Sequence, residues 1–204
     1  MALKEPNGLL AIGGDLSVER LIKAYKSGVF PWYSNGEPIL WWTPNPRSVI
    51  YVEQYHPSKS LKKLLKKNIY KFKHNTAFTQ VILSCANIPR NEQDGTWITD
   101  EMVLAYEQLH QQGYAHSFEC WLDNKLVGGL YGIIIDKVFF GESMFSTLAN
   151  TSKLAFNYSV NYCKEIGIEL IDCQVESNHM NSLGAVNISR EEFESLLTSL
   201  IDKS

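Results

Sequence analysis

The sequence predicts an α+β fold with a largely antiparallel sheet, and three observations carry that expectation. From residue 100 onward the chain reads helix, three strand-like runs, helix, strand, helix; short polar turns, Asp123-Asn124-Lys125 and Asp136-Lys137, separate the runs and suit hairpins better than crossovers. The composition, 45% apolar, 20% charged and 12% aromatic over 204 residues, is that of a globular chain long enough to bury a core without disulfides or metal. No run of eighteen apolar residues occurs, so no bilayer span is expected, and the apolar stretch near Leu9 is too short for a secretory signal. The expected compartment is the cytoplasm.

Taken in order, Ser17 to Ser27 reads as a helix stopped by Gly28. In the FPWYSNGEPILWWTPNPRSVIYV that follows, Pro31, Pro38, Pro44 and Pro46 confine the chain to short extended pieces, because proline has no ladder donor. Helices are expected at Lys59 to Lys67, opened by Ser58 or Ser60, and at Thr76 to Ala86. The stretch from Ile88 to Gly95, IPRNEQDG, reads as a linker or exposed loop, dividing a small domain over residues 1–92 from a second over 93–204. Beyond it come a helix from Asp100 to Gln112, capped by Thr99 or Asp100 and stopped by Gly113, and the meander HSFECWL, LVGGLYGII and VFFGESM. A helix from Thr151 to Ile166, a strand IELIDCQV, a short helix around Asn178 to Leu183 and a last helix from Arg190 to Ile201 complete the chain.

The net charge of −3 conceals an asymmetry. From Gln54 to Asn91 there is no Asp or Glu, and seven lysines with Arg90 give those 38 residues +8, leaving −11 for the rest. In SKSLKKLLKKN, at 100° per residue, Lys59, Lys62, Lys63, Lys66 and Lys67 occupy one arc and Leu61, Leu64 and Leu65 the opposite one. The leucines dock and the lysines face out. A merely solvated helix usually mixes signs at i and i+4, which this one does not, so a polyanion, with a phosphate backbone foremost, is expected ahead of a plain surface role.

The four cysteines, spaced by 35, 43 and 10 residues, match neither a zinc site nor a disulfide framework. They read as small buried hydrophobes, a reactive Cys173 being the lesser alternative. More informative are carboxylates inside apolar strands. Glu142 follows Gly141 in FFGESM, and Asp172 and Gln174 alternate at i and i+2 in LIDCQV, on one strand face. One such acid reads most simply as a strand-end residue or a satisfied buried group; two strands carrying them point to a functional cluster.

The strings GLLAIGGDLSVERLIKAYKSGVFPWY, PILWWTPNPR, TWIT, AYEQLH, LVGGLYG, FFGESMFS, and LIDCQV followed by His179 and SLGA run in collinear order from about Glu5 to Phe193, and they resemble the leucyl/phenylalanyl-tRNA–protein transferase family. The resemblance implies a GNAT-like (N-acyltransferase-like) carboxy-terminal domain with a mostly antiparallel sheet and a small α+β amino-terminal domain packed on it. The implied reaction moves leucine or phenylalanine, with methionine a third candidate, from aminoacyl-tRNA to the α-amine of a protein beginning with Arg or Lys, creating an N-end-rule degradation signal. The donor ester is already activated, so no cofactor, metal or covalent enzyme intermediate is called for; positioning and proton management remain. By the same resemblance Asp172 draws a proton from the amine or anchors it electrostatically, Gln174 holds the amine, and Glu142 adds negative potential for a cationic acceptor. Trp32 and Trp97 would stack on the terminal adenosine, and Leu130, Phe139, Gly141, Ser143 and Ile171 would line the aminoacyl pocket. Lys62, Lys63, Lys66 and Lys67 would meet acceptor-stem phosphates. Trp41, Trp42 and Trp121 read as core, and His116 and His179 as structural. Thr147 stands where the family commonly has Arg, and Ser189 where it has Pro. A monomer is expected.

Two alternatives stand beside this reading. A coenzyme-A-dependent N-acetyltransferase would share the fold, but it needs a glycine-rich turn for pyrophosphate, and FSTLANTSK, residues 145–153, has no glycine. An RNA-binding adaptor would use the lysine helix and leave Asp172 structural.

Overall fold

The computed structural model describes residues 2–88 and 98–202. Its elements are β1 (Leu9–Ile12), α1 (Val18–Lys26), β2 (Phe30–Pro31), β3 (Leu40–Trp42), β4 (Arg47–Tyr51), α2 (Lys59–Lys66), β5 (Lys71–His74), α3 (Phe78–Ala86), α4 (Asp100–Gln111), β6 (Ala115–Leu122), β7 (Lys125–Ile135), β8 (Val138–Ser146), α5 (Thr151–Glu165), β9 (Leu170–Gln174), α6 (Asn178–Ser182), β10 (Val186–Ile188) and α7 (Arg190–Leu200). The helix starts follow capping chemistry: Ser58, Thr99 and Ser189 accept the amide hydrogens of Leu61, Met102 and Glu192. Ser189 thus caps α7. Of the two expected caps for α2, the chain uses Ser58.

The meander forms as expected. Asp123 and Asn124 both take left-handed φ, 48° and 61°, which is the tight hairpin turn whose twist matches the strands it joins. β6, β7 and β8 are the middle of a seven-stranded sheet in the order β10-β4-β9-β8-β7-β6-β5, with every pair antiparallel except β8 and β9. β1, β3 and β2 form a second, three-stranded antiparallel sheet. Three strands, β1, β5 and β10, escape the sequence reading because each is four residues or fewer.

The large sheet also crosses the sequence boundary at residue 92. β4 and β5, from the amino-terminal side, pair with β9 and β6, so residues 1–92 and 93–204 share one sheet. Apolar residues pack on both faces. One core gathers Leu21 and Tyr25 of α1, Val81 of α3, Tyr106 of α4 and Phe193 of α7; the other gathers Leu61 of α2, Leu154 and Phe156 of α5, and Phe139 and Ile171 of the sheet. Among the described residues no helix is long and apolar enough to cross a membrane.

Candidate active site

The site begins with an irregularity in β8. Gly132 of β7 opposes Gly141 while its neighbour Tyr131 opposes Ser143, so Glu142 is the extra residue of a β-bulge, a device that re-aims a side chain out of the alternation. Glycine is required opposite: a Cβ on Gly132 would lie 2.2 Å from the Phe140 carbonyl oxygen. On its other side β8 pairs with β9 only over Val138–Phe140 and Leu170–Asp172, after which the parallel strands part. β9 ends there on Gln174, held at φ 63°.

The opening between the two strands is a cavity of about 410 Å³. It brings together Trp32, Leu130, Phe139, Gly141, Glu142, Ser143, Ile171, Asp172 and Gln174, nine of the residues singled out from sequence. Phe30, Phe156, His179 and Met180 also line it and were not anticipated as site residues. Trp32, 37% exposed, lies 5.9 Å from the Trp42 ring, whose indole nitrogen donates to the Trp32 carbonyl at 2.6 Å. Trp42 is therefore a support for Trp32 rather than plain core. Trp97 lies outside the described residues. The four lysines of the basic helix are exposed and do not line the cavity, while Leu61 docks beneath them in the second core.

The two carboxylates have different company. Asp172 is 0% exposed, and both its oxygens are engaged by Arg47, itself 1% exposed: Nε donates to Oδ1 at 2.8 Å and Nη2 to Oδ2 at 2.6 Å. The Gln174 backbone N–H also donates to Asp172 Oδ1 at 2.9 Å. Arg47 spends Nη1 on the Gly28 carbonyl at 3.0 Å and sits against the rings of Phe30 and Phe193, at 4.9 and 4.5 Å. A bidentate fork of this kind engages both oxygens of the aspartate and fixes its orientation.

Glu142 has neutral donors instead. The Tyr25 hydroxyl donates to Oε1 at 2.7 Å, Gln174 Nε2 to the same oxygen at 2.9 Å, and the Tyr106 hydroxyl to Oε2 at 3.0 Å. Tyr25 and Tyr106 also contact each other through their hydroxyls. Burial pushes the Glu142 carboxyl up to about 7, the three donors oppose the rise, and the Asp172 charge adds to it. Burial, and then the Glu142 charge, hold both tyrosines well above the ordinary phenol range.

Other candidates fall away from chemistry. Burial raises the thiols of Cys120 and Cys163 to about 12 and that of Cys173 further still, which argues against a reactive Cys173. His179 packs on Met144 with its pKa lowered by burial, and His116 belongs to a cluster with His74 and Asn75 at the β5–β6 edge. Thr147 donates to the Val127 carbonyl at the end of β8. Arg47, Tyr25 and Tyr106 lie in strings quoted above, PNPR, KAYKSG and AYEQLH, but nothing in those strings says which carboxylate each would meet.

An α+β sheet whose central parallel strands part over an apolar cavity is the N-acyltransferase-like fold. Solved structures superpose on it: the L-PGS of Bacillus licheniformis at TM-score 0.51 and 11% identity, covering 92% of this chain and 71% of that one, is alike in fold. An aminoglycoside acetyltransferase, meta-AAC0020, from an uncultured soil metagenomic sample aligns over 58% of this chain and 85% of its own at TM-score 0.43 and 19% identity. The family profile described as leucyl/phenylalanyl-tRNA protein transferase matches residues 49–198, and that of its N-terminal domain residues 14–45. The leucyl/phenylalanyl-tRNA–protein transferase of Cellvibrio japonicus is 53% identical over 203 residues, all of this chain and 86% of that protein; that of Nitrosomonas eutropha is 55% identical over 202 residues, 99% of this chain and 86% of that protein. The chain belongs to the leucyl/phenylalanyl-tRNA–protein transferase family.

Proposed function

We propose that this chain moves leucine or phenylalanine from aminoacyl-tRNA to the α-amine of a protein beginning with Arg or Lys, acting as a monomer in the cytoplasm. The observation that carries the reading is the cavity, apolar along Leu130, Phe139 and Ile171 and closed by the Glu142–Gln174 pair. Those walls suit an apolar aminoacyl side chain, with Gly141 and Ser143 beside it. Trp32, at the cavity and partly exposed, offers a face for the terminal adenosine, the role the family resemblance also implies for Trp97. The exposed lysines of α2 suit acceptor-stem phosphates, contacts that position the tRNA without reading its sequence.

In the transfer the amine nitrogen bonds to the ester carbonyl carbon and the bond from that carbon to the ribose oxygen breaks. Gln174 spends Nε2 on Glu142 and keeps Oε1 to accept from the amine. Asp172, paired with Arg47, accepts the Gln174 backbone N–H and so orients the residue that holds the amine. The test is incubation with charged leucyl- or phenylalanyl-tRNA and an Arg- or Lys-initiated peptide, with acetyl-CoA in parallel. The expected product carries the tRNA-borne residue as a new amide at the peptide amino terminus. Acetylated peptide, or tRNA binding without transfer, would refute the reading.

A further inference from the structure

Tyr25, Tyr106 and Glu142 make three oxygen-to-oxygen contacts: phenol to phenol, Tyr25 to Oε1 and Tyr106 to Oε2. Each contact needs one hydrogen, and two phenols supply two. With Glu142 ionised, both hydroxyls point at the carboxylate, and the two phenol oxygens meet with no hydrogen between them. A hydrogen on Oε2 closes the ring: Oε2–H donates to Tyr106, Tyr106 to Tyr25, and Tyr25 to Oε1, which still accepts from Gln174.

We propose that Glu142 rests protonated, that Tyr25 and Tyr106 are positioning residues which hold this proton in a closed ring, and that Glu142 exchanges it with the substrates during transfer. The exchange rests on the transferase reading; the resting proton does not. As the bond from the carbonyl carbon to the ribose oxygen breaks, Glu142 gives its proton to that oxygen. The nitrogen, bonded to that carbon once the neutral amine has added, then sheds its proton to Glu142, and the ring closes again with one proton given and one taken. The groups around it agree. Tyr25 comes from α1, Tyr106 from α4 and Gln174 from β9. Asp172 is matched by Arg47, the Tyr131 ring packs on Tyr106 from β7, and His179, across the cavity, is pushed toward its neutral form by burial. The raised pKa of Glu142 points the same way.

Infrared difference spectra between the unmodified protein and Glu142→Gln read the acid directly and need no substrate. At about pH 6 a carboxylic-acid carbonyl band should be present, and it should be lost by about pH 9. Tyr25→Phe and Tyr106→Phe each remove the hydroxyl-to-hydroxyl contact that calls for a third hydrogen and open the ring, so the midpoint of that loss should fall by about one pH unit, with a matching move in the pH profile of single-turnover transfer from aminoacyl-adenosine. A folded protein that transfers the residue but lacks the band across this range overturns the proton store and leaves the transferase reading intact, as does an unmoved midpoint in both tyrosine variants. A titrating band in a protein that performs no transfer supports the store and overturns the transferase reading instead.

Discussion

Asp172 and Glu142 line one cavity with opposite electrostatic company, and substitution separates them. Asp172→Asn keeps size but leaves the Arg47 guanidinium buried between Phe30 and Phe193 without its counter-charge. Breaking a buried pair by neutralising one partner typically costs about 3–5 kcal/mol, so denaturant unfolding should show a loss of that size together with any loss of turnover. Unchanged stability would mean that Arg47 finds another partner. Glu142 behaves in the other sense. Its folded pKa, about 7, lies above the ordinary 4.5, so between these values the unfolded chain binds fewer protons than the folded one and stability falls as pH rises. Glu142→Gln removes that penalty. Its stability advantage over the unmodified protein should grow from about pH 5 to pH 8, on the order of 2 kcal/mol, read from melting curves across that range. A constant difference would show that Glu142 keeps an ordinary carboxylate pKa in the fold.

At the scale of elements, α2 separates its duties by face: Leu61 is buried, Leu64 and Leu65 are partly buried, and Lys62, Lys63, Lys66 and Lys67 are exposed. Replacing those four lysines by alanine should raise the KM for charged tRNA and flatten its salt dependence, by up to about 0.9 in log–log slope for each phosphate the helix no longer neutralises. Turnover of aminoacyl-adenosine, which has no acceptor stem, should hold. Equal losses with both donors would assign the lysines to folding. The bulge in β8 is the other decisive element. It turns Glu142 toward Tyr25 and Tyr106 in the first core while Phe139 and Met144 of the same strand pack with the second.

For the molecule as a whole, the boundary near residue 92 divides sequence but not structure. β4 lies between β10 and β9, β5 forms the far edge beside β6, and the Arg47–Asp172 bridge spans 125 residues of chain. A fragment of residues 93–204 loses β4, β5 and the partner of Asp172. It should therefore show no cooperative thermal transition alone and regain one when co-expressed with residues 1–92. Independent cooperative melting of the fragment would show that the carboxy-terminal strands suffice.

The sequence by itself determined the meander, the seven helices among the described residues, the one-sided charge of α2 and the membership of nearly all the expected pocket residues. These follow from periodicity, turn chemistry, caps and collinear motifs, which are local or are carried whole by the resemblance. β1, β5 and β10 stayed hidden because so few residues give too little pattern, and KFKH in β5 reads as part of the basic block. Tertiary structure alone decided which carboxylate meets a guanidinium and which meets neutral donors. Period-two alternation puts Asp172 and Gln174 on one face, but a carboxylate's proton affinity depends on its desolvation and partners, and Arg47, Tyr25 and Tyr106 arrive from three distant elements only when the sheet closes.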